Sequence, residues 1–284
     1  MMELKEKLTR HIINGDKKTN LFEDIIYVLF FLLEILNDKK NIQNYNHFKN
    51  FESFLELNIT DDYFNISPSR ILCQFFLLNW LRNNFSPDKD VNILDVGCGN
   101  GVALTIFEKY FKNVKYFGCD SNPRESWKKL ENKNINFFEQ KLENEIQKEL
   151  PKIDLIHSQS VFEHIKYDQS AFKQLVKKFQ NSKQIHFLPA PISFLNYEKH
   201  GYRRYSLNSL KKLEKILKKN IQIYNLGSLN ALRYHFNWLD KKKHNFKLQK
   251  ILKFKENFSD ERELLKFLFT DSSKSYPVYY AVQF

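Results

Sequence analysis

The sequence predicts an α/β protein with a doubly wound, mostly parallel sheet and a helical segment ahead of it. Three observations carry this. From Val91 onward, short β-rich runs alternate with helical stretches, the pattern of βαβ units. The first run, "NILDV", ends in a glycine-rich turn, "GCGNG", Gly97 to Gly101. Residues 1 to about 60 contain no proline and no glycine after Gly15, so they read as helices.

Taken in order, the most apolar stretch is "IIYVLFFLLEIL", Ile25 to Leu36. Its unbroken part ends at Leu33, well short of the roughly 20 apolar residues a membrane span needs. A buried helix is expected, with a helix lying in a membrane interface as the alternative. "SPSRILCQFFLLNWLRNNF" predicts a helix with Ser67 as cap and Pro68 in the first turn. Ile71, Phe75, Leu78 and Leu81 recur on one of its faces. The strands then read "VNILDVG", "VKYFGCD", "NINFFEQ", "IDLIHSQS", "QIHFLPAP", "IQIYNLG" and "PVYYAVQF", with helical stretches between the early ones. "LNSLKKLEKILKK" is a helix capped by Ser206 or Asn208. The expected division is a helical cap or lid over 1–66 and an α/β domain over 67–284. That domain carries a helical insertion near 231–271, charged from Lys241 to Asp271.

Composition narrows the classes. An apolar content of 42% supports a buried core, and 27 Phe with 14 Tyr make that core aromatic. The net charge of +12 raises nucleic acid as a partner. The lysines are scattered in short groups such as Lys17-Lys18 and Lys128-Lys129, which favours solvated faces over a nucleic-acid track. Three cysteines form no CxxC pair, so neither a zinc knuckle nor a disulfide framework is indicated. Reduced thiols in a cytoplasmic protein are the expectation, with no metal site.

Three of only seven glycines fall in the turn after the first strand. Glycine lets the backbone adopt positive φ and lie close to a ligand. The first, third and fifth positions differ from the Gly-x-Gly-x-x-Gly spacing of a dinucleotide loop. Asp95 precedes the first glycine by two residues. Asp120 closes the second strand nineteen residues after Gly101, where an acid can accept from ribose hydroxyls. An adenosine-containing cofactor follows, with nothing that demands a phosphate.

"ILDVGCGNG", "YFGCD" and "IDLIHSQSVFEHI" together resemble the class I S-adenosylmethionine-dependent methyltransferases, from about Val91 to Phe284. The resemblance implies a seven-stranded sheet of order 3-2-1-4-5-7-6, with the last strand antiparallel, and S-adenosyl-L-methionine as cofactor. It places Asp95 near the amino acid end of the cofactor and Gly97, Cys98 and Gly99 beneath it. Asp120 would hold the ribose, with Ser121 beside the adenine and Gln140 and Lys141 at the adenine edge. Ser158 and Gln159 would lie by the sulfonium. Cys98 reads as a small residue under the cofactor rather than a redox group. Asp154 opens its strand and is structural or functional with equal support, and His157, within that strand, reads as a core histidine.

In the acceptor half, "SVFEHIKYD" follows the fourth strand. His164 is a candidate base near the transferred methyl, or else Glu163 and His164 brace the next helix. The connection "PAPISFLNYEKHGYRRYSLNSLKKL" gathers Glu198, His200, Tyr202, Arg203, Arg204 and Tyr205. His200 is the second base candidate. Arg203 and Arg204 with Tyr202 suit an anion clamp, because guanidinium donates two bonds at once. Arg70 in "SPSR" is placed over the same pocket. The reading is therefore methyl transfer to a small, anionic, hydroxylated metabolite such as a sugar, sugar nucleotide or glycan precursor, at oxygen. The alternatives are an RNA methyltransferase and a catalytically inactive cofactor-binding partner protein. Oligomeric state is left open.

Overall fold

The computed structural model describes residues 14–38, 63–197, 200–241, 257–270 and 277–284. Glu198 and residues 242–256 of the expected insertion lie outside the described residues, as does much of the expected N-terminal cap. The element order is α1 (Leu21–Asp38), α2 (Pro68–Asn84), β1 (Val91–Val96), α3 (Leu104–Tyr110), β2 (Val114–Asp120), α4 (Glu125–Leu130) and β3 (Ile135–Glu139). There follow β4 (Leu155–Gln159), α5 (Asp168–Lys178), β5 (Lys183–Pro189), α6 (Phe194–Tyr197), α7 (Leu207–Leu217) and β6 (Gln222–Leu226). The last elements are α8 (Leu229–Lys241), α9 (Glu261–Thr270) and β7 (Tyr279–Gln283).

The seven strands form one sheet of order β3-β2-β1-β4-β5-β7-β6. The pairs from β3 to β5 are parallel, while β7 runs antiparallel to both β5 and β6. Side chains alternate across each strand, so each face builds its own core. Ile93, Tyr116, Leu155, Ile185 and Phe187 belong to one core, with α2, α3, α8 and α9. Leu94, Val96, Cys119, Ile156 and Leu188 belong to the other, with α5 and α7. The parallel strands are covered on both faces, which explains their near-continuous apolar runs.

Helix α2 buries Ile71, Phe75, Leu78 and Leu81 as its spacing predicts, and also Leu72, Phe76, Leu77 and Trp80. It is enclosed on most sides, as expected of a helix apolar nearly all round. Pro68 occupies its first turn. Ser67 sits at the N-cap, but its hydroxyl accepts no backbone bond. At α7, Ser206 is the cap: its Oγ accepts from the Ser209 amide at 3.3 Å.

Helix α1 departs from the expected buried helix. Tyr27 and Phe31 are buried against Phe194, with the Phe31 and Phe194 rings stacked at 5.3 Å. Leu21, Phe22, Leu29, Leu33 and Leu36 are more than half exposed. The helix lies on a loop surface and so buries only one stripe. No described helix is long and apolar enough to cross a membrane.

Candidate functional site

The site begins at the carboxyl end of β1. Gly97, Gly99 and Gly101 all have positive φ, at +67°, +53° and +77°, so the one-three-five spacing is a run of left-handed residues. A Cβ on Gly97 would lie 2.3 Å from a Val161 methyl, while one on Gly99 would point into open space. The turn is tied to the end of β2: the Gly97 and Cys98 amides donate to the Cys119 carbonyl at 2.7 and 3.0 Å. The Gly99 amide donates to Asp120 Oδ2 at 3.0 Å, and the Asn122 amide donates to Oδ1 at 3.0 Å. Trp127, stacked on Phe137, donates to the Gly99 carbonyl at 2.7 Å. The Asp120 carboxylate is thereby fixed at the rim, with lone pairs left for a ligand.

Two adjoining cavities open over this turn. One of about 340 Å³ is lined by Arg70, Gln74, Asp95, Gly99, His157 and Gln159. The other, about 760 Å³, is lined by Asp120, Ser121, Gln140, Lys141, Val161 and His164. Gly97, Arg124 and Ser160 line both. Both volumes lie within the range of small-molecule sites, roughly 300–1,000 Å³.

Asp95 lies at the floor, 2% exposed, and accepts from the Tyr116 hydroxyl at Oδ2. Its Oδ1 is 2.7 Å from His157 Nδ1. Burial, and then the Asp95 charge, push the Tyr116 hydroxyl well above its ordinary range. Burial pushes the Cys98 thiol far above its ordinary value, and Asp95 adds to this, so Cys98 stays a neutral small group. His157 Nε2 and Gln74 Oε1 are buried without hydrogen-bond partners among the described residues, and both residues line the smaller cavity. Unsatisfied polar atoms in a cavity fit a polar ligand. The residues present therefore fit S-adenosyl-L-methionine, with acceptors at Asp120 for ribose and mixed polar atoms for a zwitterionic amino acid end.

Gln159 lines the smaller cavity, but Ser158 does not. Ser158 is fully buried on the other face of β4, with its Oγ 2.8 Å from His186 Nδ1. The period-two alternation that turns His157 and Gln159 toward the cavity turns Ser158 away. Ser158 is a partner of His186, whose pKa burial pulls down to about 3. Gln140 is half-buried and Lys141 exposed at the larger cavity, and Gln140 Nε2 donates to the Lys141 carbonyl at 2.7 Å. Asp154 is structural: its Oδ2 accepts from the Asn92 amide at 3.0 Å and its Oδ1 pairs with Lys89 at 3.1 Å.

At the mouth of the larger cavity, His164 and His200 meet across Asp16. His164 Nδ1 is 2.7 Å from Asp16 Oδ2, and His200 Nδ1 is 2.9 Å from Asp16 Oδ1. The two rings stand nearly perpendicular, with centroids 4.5 Å apart. Burial works against charge on His164, but the hydrogen bond to Asp16 and the nearby Glu163 outweigh it and raise its pKa. Asp16 is held far below the carboxylate range: burial opposes this, and the two imidazoles and the Gly201 backbone overcome it. Glu163 is 1% exposed and raised by burial. Sequence reasoning named each histidine as a base candidate but missed Asp16, 148 positions away from His164, for which no local signal exists. Arg124, Gln74 and Ser160 were also missed. Ser160 has a φ of +55°, which nothing in its composition announces.

Arg203 and Arg204 do not form an anion clamp. Each is 1% exposed. Arg203 pairs with Asp168 at 3.0 Å and donates to the carbonyls of Phe162, Ile165 and Lys166. Arg204 donates to the His200 and Arg203 carbonyls. A guanidinium fork satisfies several carbonyls of an irregular segment at once, and here that segment is the protein's own. Tyr202 is half-buried, its amide donating to the Glu163 carbonyl at 2.7 Å. Arg70 is exposed at the smaller cavity. Among the described residues, the arginine and lysine side chains lining the cavities are Arg70, Arg124 and Lys141.

Gly201 holds this assembly together. Its φ is +67°, and a Cβ there would fall 2.6 Å from the Glu163 carbonyl oxygen. Its own carbonyl accepts from the Gly15 amide at 2.8 Å and from the Tyr27 hydroxyl at 3.1 Å. Gly201→Ala is expected to cost about 2 kcal/mol or more, from left-handed strain plus overlap with backbone. Urea denaturation of the variant beside wild type checks this.

Residues 94–180 match the family described as Methyltransferase domain, Methyltransf_12. An uncharacterized protein of Synechocystis sp. is 26% identical over 120 residues, which are 39% of this chain and 23% of that protein. The matched region therefore spans about a quarter of that relative's length. Among solved structures, the plantazolicin methyltransferase BamL, in complex with a triazolic desmethylPZN analog and SAH, has a TM-score of 0.50 at 16% identity. That likeness covers 90% of this chain and 98% of BamL. The plantazolicin methyltransferase BpumL aligns over 92% of this chain and 98% of its own, with a TM-score of 0.49 at 16% identity. Residues 94–180 thus match a methyltransferase domain, and the sheet has the strand order of the class I methyltransferase fold.

Proposed function

We propose that the protein transfers a methyl group from S-adenosyl-L-methionine to an oxygen of a small, anionic, hydroxylated metabolite, a sugar, sugar nucleotide or glycan precursor. One observation carries the reading. The Asp16, His164 and His200 cluster stands at the mouth of the cavity that begins at Asp120, so base candidates and cofactor rim share one opening. Bound there, the cofactor supplies an electrophilic methyl group on a sulfonium centre. Asp120 holds the ribose, the Gly97–Gly99 turn passes beneath, and Asp95 with His157 faces the amino acid end. His164, oriented by Asp16, accepts the proton of the acceptor hydroxyl, with His200 as the second candidate. Arg70, Arg124 and Lys141 supply the positive charge for an anionic acceptor, in place of Arg203 and Arg204.

The N-terminal segment over 1–66 acts in this reading as a cap. Its Asp16 and Tyr27 reach the 200–201 loop and complete the acceptor side. Excluding water there would strengthen the polar contacts to the acceptor.

The test is a mass-spectrometric screen of sugar and nucleotide-sugar pools for products gaining one methyl, with cofactor and purified protein. A methylated anionic sugar whose formation falls at least tenfold in Arg70→Ala supports the reading. A methylated product confined to RNA or to protein, with none among the metabolites, overturns the acceptor assignment.

A further inference from the structure

We infer that Asp16, His164 and His200 form a binding site for a divalent first-row transition-metal ion, of the Zn²⁺, Mn²⁺ or Fe²⁺ class, at the acceptor mouth of the cavity. One ligand atom from each residue lies within 4.8 Å of the other two. Two imidazoles and a carboxylate are donors that suit these ions, whereas Mg²⁺ prefers oxygen ligands and its own waters. Zn²⁺ sits about 2.0–2.2 Å from such donors, which puts donor atoms on a tetrahedral shell about 3.4 Å apart. The present contacts from Asp16 to the two Nδ1 atoms, 2.7 and 2.9 Å, need only a small outward adjustment.

The three residues come from distant parts of the chain and are pinned together by backbone contacts. The Tyr202 amide donates to the Glu163 carbonyl, fixing the His200 segment on the His164 segment. The Gly15 amide donates to the Gly201 carbonyl, fixing Asp16. The cluster is thus assembled without an ion, which lowers the ordering cost of binding one. The side chains are between 33% and 42% exposed, so an ion can enter, and three protein ligands leave coordination positions open.

A second observation points to a cation. Glu163 is almost fully buried, its Oε2 has no hydrogen-bond partner among the described residues, and its Oε1 lies 3.9 Å from His164 Nε2. From that position the carboxylate can orient the imidazole, as outer carboxylates do around metal-bound histidines. Arg204, held on the His200 carbonyl, is the positive charge that opposes the ion. Binding would displace the protons that the imidazoles now share with Asp16.

This inference rests on the proposed methyl transfer only for its consequence. With an ion bound, His164 and His200 serve as ligands, and an acceptor oxygen completes the coordination shell. The base role then applies to the ion-free cluster alone.

The full-length protein, stripped with chelator, is titrated with Zn²⁺ by calorimetry and with Co²⁺ by visible absorption. One ion per chain is expected, with Mg²⁺ at least about 100-fold weaker. His164→Ala and His200→Ala should each weaken Zn²⁺ binding about 100-fold, and Glu163→Gln about 10-fold. His164→Gln and His200→Gln retain a donor toward Asp16 and serve if the alanine variants fail to fold. Absence of Zn²⁺ and Co²⁺ binding, or binding unchanged by either histidine substitution, overturns the site. S-adenosyl-L-methionine binding, titrated without metal, tests the methyltransferase reading separately, so the two can fail independently.

Discussion

Asp120→Ala is expected to lower the affinity for S-adenosyl-L-methionine about 100-fold or more, with little loss of stability. Each hydrogen bond to a charged carboxylate is worth about 1.5–3 kcal/mol, and a ribose offers two hydroxyls. Losing both costs about 3 kcal/mol or more, which is about two orders of magnitude in Kd. Folding should survive because the groups Asp120 now satisfies, the Gly99 and Asn122 amides, lie where water can replace it. Gly99 is half-buried and Asn122 exposed. Asp120→Asn separates shape from charge: it keeps the size but presents a donor where the ribose needs acceptors. Calorimetric titration of both variants, beside wild type, checks the expectation. An affinity within threefold of wild type in Asp120→Ala would remove Asp120 from the cofactor site.

Arg203→Ala is expected to destabilise the fold by about 3–5 kcal/mol, the cost of breaking a buried ion pair from one side. It strands Asp168, which the Tyr205 hydroxyl alone among these partners would then hold, at 2.8 Å. It also releases the carbonyls of Phe162, Ile165 and Lys166, the segment that carries His164. Burial and the Asp168 charge already push the Tyr205 hydroxyl well above its ordinary range, so that hydroxyl stays a donor. Arg203→Lys should recover only part of the loss, because one ammonium cannot reach the positions the fork reaches. Chemical denaturation is the measurement. A substrate clamp would show the opposite signature, with stability unchanged and KM raised.

These two residues differ in how much of their placement the sequence carries. Asp120 stands at the end of a strand recognisable from "VKYFGCD", at a fixed distance from a glycine turn. Its position follows from strand order and spacing, and the described geometry puts it at the cavity rim. Arg203 sits in a loop whose composition suits either an exposed clamp or an internal brace. Residue type alone cannot separate these, because the same guanidinium fork binds a ligand phosphate or three backbone carbonyls. Its direction depends on the path of residues 162–166, fixed by contacts about 40 positions away.

The strands, their alternation with helices, and the left-handed glycine turn were legible because they depend on local periodicity and on φ at single residues. The chain needed no partner to declare them. Alternation opposes Ser158 to His157 and Gln159, and the packing of β4 between β1 and β5 decided which of the two faces meets the cavity. The inward turn of Arg203 and Arg204 and the exposed stripe of α1 were decided by packing. So was the meeting of Asp16 with His164 and His200. It joins three segments that share no sequence pattern, and only the folded backbone, through Gly15, Gly201 and Tyr202, brings them within hydrogen-bond reach.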